Sequence, residues 1–184
     1  MIEAHLRQAE SCAADPFLNW DTIWSPGETK ADWRLAASDE TSNIGGLRAK
    51  SALHTAVVLC LFTDRRVEAD HPLYYLADGD PKGWWGDSVD VDASAHETAL
   101  GSLLWLLRRA PMTVAGQAIA DWARQFAEEA LAPLIAQGAC VRLEVAAEAH
   151  SAATGRVDLT IRLFGRDGAN LYDRKFDLVW QQVG

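Results

Sequence analysis

Near residue 140 the hydrophobic pattern changes its period, and this change constrains the fold more than any other feature of the chain. In CVRLEVAAE, Val141, Leu143 and Val145 alternate with Arg142 and Glu144. In RVDLTIRLF the alternating apolar set is Val157, Leu159, Ile161 and Leu163, and in LYDRKFDLVW it is Phe176, Leu178 and Trp180. Successive side chains of a strand point to opposite faces, so each piece predicts a strand with one apolar face. The intervening SAATG and GRDGAN read as hairpin loops, the second holding an Asp-Gly pair. Together they predict a three-stranded antiparallel meander whose apolar face must be covered by something else.

The cover is found upstream, where the period is helical. LRAKSALHTAVVLCLF, residues 47–62, places Leu53, Val57, Cys60 and Leu61 at helical spacing and predicts a helix at least half buried. Ser94 followed three residues later by Glu97 is a capping-box signal for a short helix, ETALGSLLWLLRRA, with Arg108 and Arg109 in its last turn. The longest helix is expected from about Thr113 to Gln137. Ile119, Trp122, Phe126, Ala130 and Leu134 form its apolar stripe, Gly138 its stop, and Pro133 a kink or break in the last turn. Residues 17–36 contain short aromatic pieces around SPGETK and predict a β arm or hairpin carrying Trp20, Trp24 and Trp33. The class is therefore α+β: helices on a small antiparallel C-terminal sheet, with an N-terminal arm over 1–46 and a core over 47–184.

One segment fits no period. From Thr63 to Asp92 the chain is dense in Asp, Gly and Pro, and within it GDPKGWWGD sets Trp84 and Trp85 side by side on a loop. Loops of this length in a compact domain are functional or clamped by partners. Each Trp can bury roughly 150–250 Å², so an uncovered pair would make a patch of the size that marks an interaction site. Trp105, Trp122 and Trp180 fall in periodic segments and are expected in the core.

Composition removes several functions. A net charge of -9 and pI near 4.9 oppose nucleic-acid binding, which needs clustered cations. With 49% hydrophobic residues the chain has enough apolar mass for a sizeable core, yet no stretch reaches the roughly 18 apolar residues of a membrane helix. The N-terminus, MIEAHLRQAESCAADP, has acidic and polar residues where a signal peptide would be apolar, which predicts synthesis in the cytoplasm. Cys12, Cys60 and Cys140 are far apart and odd in number, as in a reducing compartment. The aspartates at 78, 80, 87, 90 and 92 fail the EF-hand calcium template, with Lys82 at its fifth position and Val89 at its twelfth. His54, His71, His96 and His150 have no metal-ligand spacing, and no nucleophile or phosphate-binding motif is present. No cofactor is expected. Glu128, Glu129, Glu144 and Glu148 lie on polar sides of amphipathic elements, where surface charge explains them better than glycoside hydrolysis.

GDPKGWWGD at 79–87, followed by GSLLWLLRR at 101–109, resembles the paired signature of the Mu-like phage baseplate wedge family, phage gene product 46. LHTAVVLCLFTDRR, FLNWDTIW, DWRLA, LAPLIAQGACVRLEV and KFDLVW agree with it in the same order, so the resemblance runs from about Phe17 to Trp180. That family is similar in turn to the lysozyme-like wedge proteins, or sheath initiators, of contractile tails. Those relatives carry a Glu-Pro-Arg triplet where this chain reads QGACVR, so the resemblance assigns the triplet's structural role to no particular residue here. The resemblance implies a non-enzymatic structural component of a contractile tail or phage-derived particle such as a tailocin. Its implied neighbours are other wedge proteins, sheath subunits and tube or hub proteins, in a ring of several copies. Arms of the first sheath ring would add strands to its sheet.

Candidate contacts are Trp84, Trp85, Asp80 and Asp87 on the loop, the pairs Arg65–Arg66 and Arg108–Arg109, and Ile161, Phe176 and Trp180 on the strands. The alternatives are a tail-associated muramidase using Glu144 or a nearby acid, and a glycan-binding module built on Trp84 and Trp85.

Overall fold

The computed structural model describes residues 22–25, 30–33, 35, 52–84, 86, 89, 91–150 and 156–179. It divides into two units, Met1–Leu59 and Cys60–Gly184.

In the first unit, β1 (Thr22–Ser25) pairs antiparallel with β2 (Lys30–Trp33), Trp24 opposite Ala31 and Thr22 opposite Trp33. This is the expected hairpin; Trp20 lies outside the described residues. Helix α1 (Ala52–Phe62) begins here and crosses into the second unit. Its buried residues, among them Leu53, Val57, Val58, Cys60 and Leu61, lie on more than one face, so it is more deeply buried than an ordinary surface helix.

The second unit centres on α2 (Ile119–Ala136), lying against β5 (Arg142–Ala149) and β6 (Arg156–Phe164), with β7 (Asn170–Val179) completing the sheet in the order β5-β6-β7. The expected stripe of Ile119, Trp122, Phe126, Ala130 and Leu134 is buried throughout. On β6, Val157, Leu159, Ile161 and Leu163 are 0–1% exposed, and Tyr172, Phe176 and Leu178 of β7 join them in the core. Both ladders of the sheet are antiparallel, and β7 carries an irregularity opposite Leu163 and Phe164 that leaves Leu171 as the extra residue. The loop after β6 closes through Gly165 and Ala169, with Gly168 in the left-handed region that the Asp-Gly pair anticipated. The SAATG loop lies outside the described residues.

Three expectations need correction. Helix α2 starts at Ile119 rather than Thr113, because 113–118 form a tight hairpin: β3 (Thr113–Val114) and β4 (Gln117–Ala118) flank Ala115 and Gly116, both at positive φ, as a two-residue turn of the primed type requires. The Trp122 Nε1–H donates to the Val114 carbonyl at 3.0 Å and ties that hairpin to the helix. Pro133 does not break the helix, which runs through it to Ala136. Only one hydrogen bond is lost near the end, and the buried Leu131 and Leu134 hold the final turns in place. Beyond it Gly138 adopts φ +79, its N–H bonded to the Ile135 carbonyl and the Ala139 N–H to Leu134, which is the Schellman closure that the glycine signalled.

The third correction concerns the helix expected from Glu97 to Ala110, of which only a 3-10 segment, Leu104–Arg109, exists. The capping signal is genuine but displaced. Asp92 is the cap, accepting the Ser94 N–H and hydroxyl, while Glu97 reaches back to the Asp92 N–H; the turn so capped lasts only from Ala93 to Ala95 before His96 turns to φ +59. Gly101, at φ +112, then reverses the path.

Candidate functional site

The tryptophan loop is built from left-handed backbone. A 3-10 turn, Tyr74–Ala77, ends on Asp78 at φ +53 and Gly79 at φ +82, and Lys82 and Gly83 repeat the pattern at +45 and +94. Asp80 stabilises the second reversal by accepting the Lys82 N–H at 3.0 Å, and the Pro81 carbonyl accepts the Val67 N–H. Trp84 is half-buried, its ring lying over Gly86 so closely that a Cβ there would come within 2.4 Å of it. The GDPKGWWG composition is thus a backbone requirement as much as an aromatic one. Trp85 and Asp87 lie outside the described residues.

This loop is fastened to the segment around Trp105. Lys82 Nζ bonds Asp64 at 3.1 Å and stands 4.9 Å from the Trp105 ring centre. The Trp105 Nε1–H donates to the Arg65 carbonyl at 2.8 Å. Residues 63–65 and 102 exchange backbone hydrogen bonds, the Ser102 hydroxyl donates to the Leu61 carbonyl at 2.5 Å, and the same oxygen accepts the Leu104 N–H. Gly101 is obligatory at this crossing, since a Cβ would lie 2.5 Å from the Thr63 carbonyl oxygen.

Of the arginine pairs, Arg65 is committed to Glu129 at 3.3 Å, whereas Arg66 and Arg108 are exposed. The side chain of Arg109 is outside the described residues. A cleft of about 530 Å³ lies beside Arg65, lined by His71, Trp122, Gln125 and Glu129 with Glu68 and Asp70 at its rim. His71 sits against Trp122 and Phe126, with ring centres 5.9 and 5.7 Å away, and its Nδ1 accepts the Leu73 N–H at 3.1 Å. Burial pushes its pKa below the ordinary histidine value. A neutral acceptor locked into its own loop is a structural histidine.

On the sheet, the strand candidates are placed differently from one another. Ile161 is fully buried on β6, the middle strand, both of whose edges are already paired; it cannot itself receive an added strand. Phe176 is also a core residue, its ring edge-on to Phe62 at 5.4 Å. Trp180 lies outside the described residues. Among the described residues, the sheet edges that pair with no further strand are those of β5 and β7.

The face of the sheet away from α2 is ionic. Arg162 pairs with Asp173 at 3.2 Å, Arg142 with Glu144, and the Arg142 guanidinium lies 3.6 Å from the Phe164 ring centre. Asp158, only 3% exposed, accepts from Arg156 at 2.5 and 3.2 Å, from Lys175 at 2.5 Å, and lies 2.9 Å from His150 Nε2. The Arg156 hydrogen bonds, helped by those of Lys175 and His150, outweigh desolvation and hold its carboxyl well below the usual carboxylate range. This cluster ties β6 to β7 through Lys175 and to His150, the residue that follows β5. Periodicity could not reveal it, because Asp158 occupies an outward position where a solvated carboxylate is the ordinary reading.

None of these arrangements is a catalytic constellation. Glu144 is exposed on an open sheet face beside Arg142. Among the described residues no group of three His, Cys, Asp or Glu is placed to hold a metal ion.

Comparison with known proteins gives a consistent result. Residues 53–170 match the family model described as phage protein GP46, spanning α1 to the start of β7. The baseplate protein gp46 of Escherichia phage Mu is 40% identical over 119 residues, 63% of this chain and 73% of that protein. The Mu-like prophage FluMu protein gp46 of Haemophilus influenzae is 31% identical over 115 residues, 62% of this chain and 71% of that protein. No solved structure matches significantly.

Proposed function

The chain belongs to the phage protein GP46 family, and from that premise we propose that it is a structural, non-enzymatic component of a phage tail baseplate. The observation that carries this reading is the 40% identity, over 119 residues, to a protein named for the baseplate. The chemistry of the surface supports it: the polar clusters described above are spent on fastening loops and strands.

At finer resolution the proposal is a wedge component that meets neighbouring wedge proteins through the tryptophan loop and the first sheath ring through its sheet. An edge strand exposes a row of unpaired N–H and C=O groups that an extended segment can complete. Assembly of several copies around the tube would follow from ring symmetry. Synthesis in the host cytoplasm precedes incorporation into the particle.

The test is co-expression with the sheath subunit and the wedge protein encoded beside it, followed by purification at moderate salt. A stable complex with either is expected. A folded chain that binds neither contradicts the wedge role, and a band of clearing on a peptidoglycan zymogram would replace it with the muramidase reading.

A further inference from the structure

We infer that the β5 edge, and not the β7 edge, is the docking edge, and that it takes an extended segment with apolar residues on one face and a lysine or arginine opposite Glu148 on the other. This rests on the strand-addition reading above and adds to it which edge is used and the partner's chemistry.

The two edges differ in how they are protected. Natural sheets guard an edge with inward-pointing charges or with bulges. β7 has both: Arg174 stands opposite Ile161 in the inward row, and the register slips at Leu171. The remaining inward residues of β7, Tyr172, Phe176 and Leu178, are already buried. β5 has neither device. Its inward row is Leu143, Val145, Ala147 and Ala149, with no charge, no proline and an unbroken register against β6. All four remain half-exposed, although the row beside them on β6 is fully buried. Val141, just before the strand, is 48% exposed. The apolar layer thus stops short along β5, where one more strand would close it.

The outward row sets the charge of the occupant. Arg142 and Glu144 satisfy each other. Glu148 is exposed, has no cation partner among the described residues, and faces Asp158 across the ladder, whose cations Arg156, Lys175 and His150 are engaged. A basic residue on the added strand would supply the missing counter-charge, and a small or β-branched one would fit beside Ala146. A glutamate or aspartate there would repeat the like-charge contact.

The probe is a capped peptide of alternating valine and threonine with one central threonine replaced by lysine, and its counterpart with glutamate. Both are titrated against the full chain, with amide hydrogen exchange as the readout. The expected result is slowed exchange on β5 amides with β7 unchanged, and a roughly five-fold preference for the lysine peptide, the size of an opposite- against a like-charge cross-strand pair. Glu148→Lys should invert the preference and Glu148→Gln should abolish it, neither being a core change. Protection on β7 overturns the edge assignment, and equal binding of both peptides overturns the charge assignment. Absence of protection anywhere overturns both, and if such a chain still co-purifies with its neighbours the baseplate reading survives without this one.

Discussion

The C-terminal sheet and the segment from Thr63 to Pro111 hold themselves together by opposite means. In the sheet, stability comes from repetition: row after row of alternating side chains buries the same kind of surface, and no single row is unique. In the loop segment it comes from single contacts, each made once. The Ser102 hydroxyl bridges Leu61 and Leu104, Trp105 donates to Arg65, and Gly101 leaves room for Thr63. The sheet should therefore tolerate small changes of shape and the loop segment should not. A surface meant to accept a partner strand can be built on the first, and a fixed display of aromatic residues needs the second.

The largest effect expected tests whether the sheet is the foundation at all. Leu159→Ala, in the middle of the fully buried row, should cost about 2–5 kcal/mol in urea unfolding. Next comes a matched pair of one-carbon changes. Ile161→Val in the sheet should cost about 1 kcal/mol, whereas Gly101→Ala should cost roughly 2–4 kcal/mol through backbone strain and lost hydrogen bonds. Equal costs would break the comparison.

The ionic face gives an intermediate effect. Because the Asp158 pKa is depressed by folding, its stabilisation is fully present above roughly pH 4, the ordinary carboxylate value, and is lost as pH falls through the folded value. Asp158→Asn should cost about 1–3 kcal/mol at neutral pH, and its Tm should converge with that of the parent chain under acid. Trp105→Phe, as small an effect as Ile161→Val, should cost about 1 kcal/mol by removing the donor to Arg65.

The same difference explains what could be read from the sequence. Strands β5, β6 and β7 and the α2 stripe were legible because a period repeats over several residues, and even Gly138 announced its closure. The start of α2 was not, since Ala115 and Gly116 leave the helical region for reasons local to a two-residue turn. Nor was the 3-10 form of LWLLRR, because Leu103, Leu104, Trp105, Leu106 and Leu107 are buried on every side, and burial on every side carries no period. Of the candidate contacts, Ile161 and Phe176 proved to face the core that their alternation predicts, while the features that distinguish the edges, Arg174 inward on β7 and the unfilled row on β5, emerge only from the register. Asp80 was singled out on composition, and its observed work is to shape the loop that carries Trp84.

Localisation in assembled particles tests most directly whether this chain is a built-in part of a tail baseplate. Immuno-electron microscopy of purified tails, with antibody raised against the chain, should place label at one end of each tail, retained through washing. Particles that assemble and carry no label at either end would contradict the account.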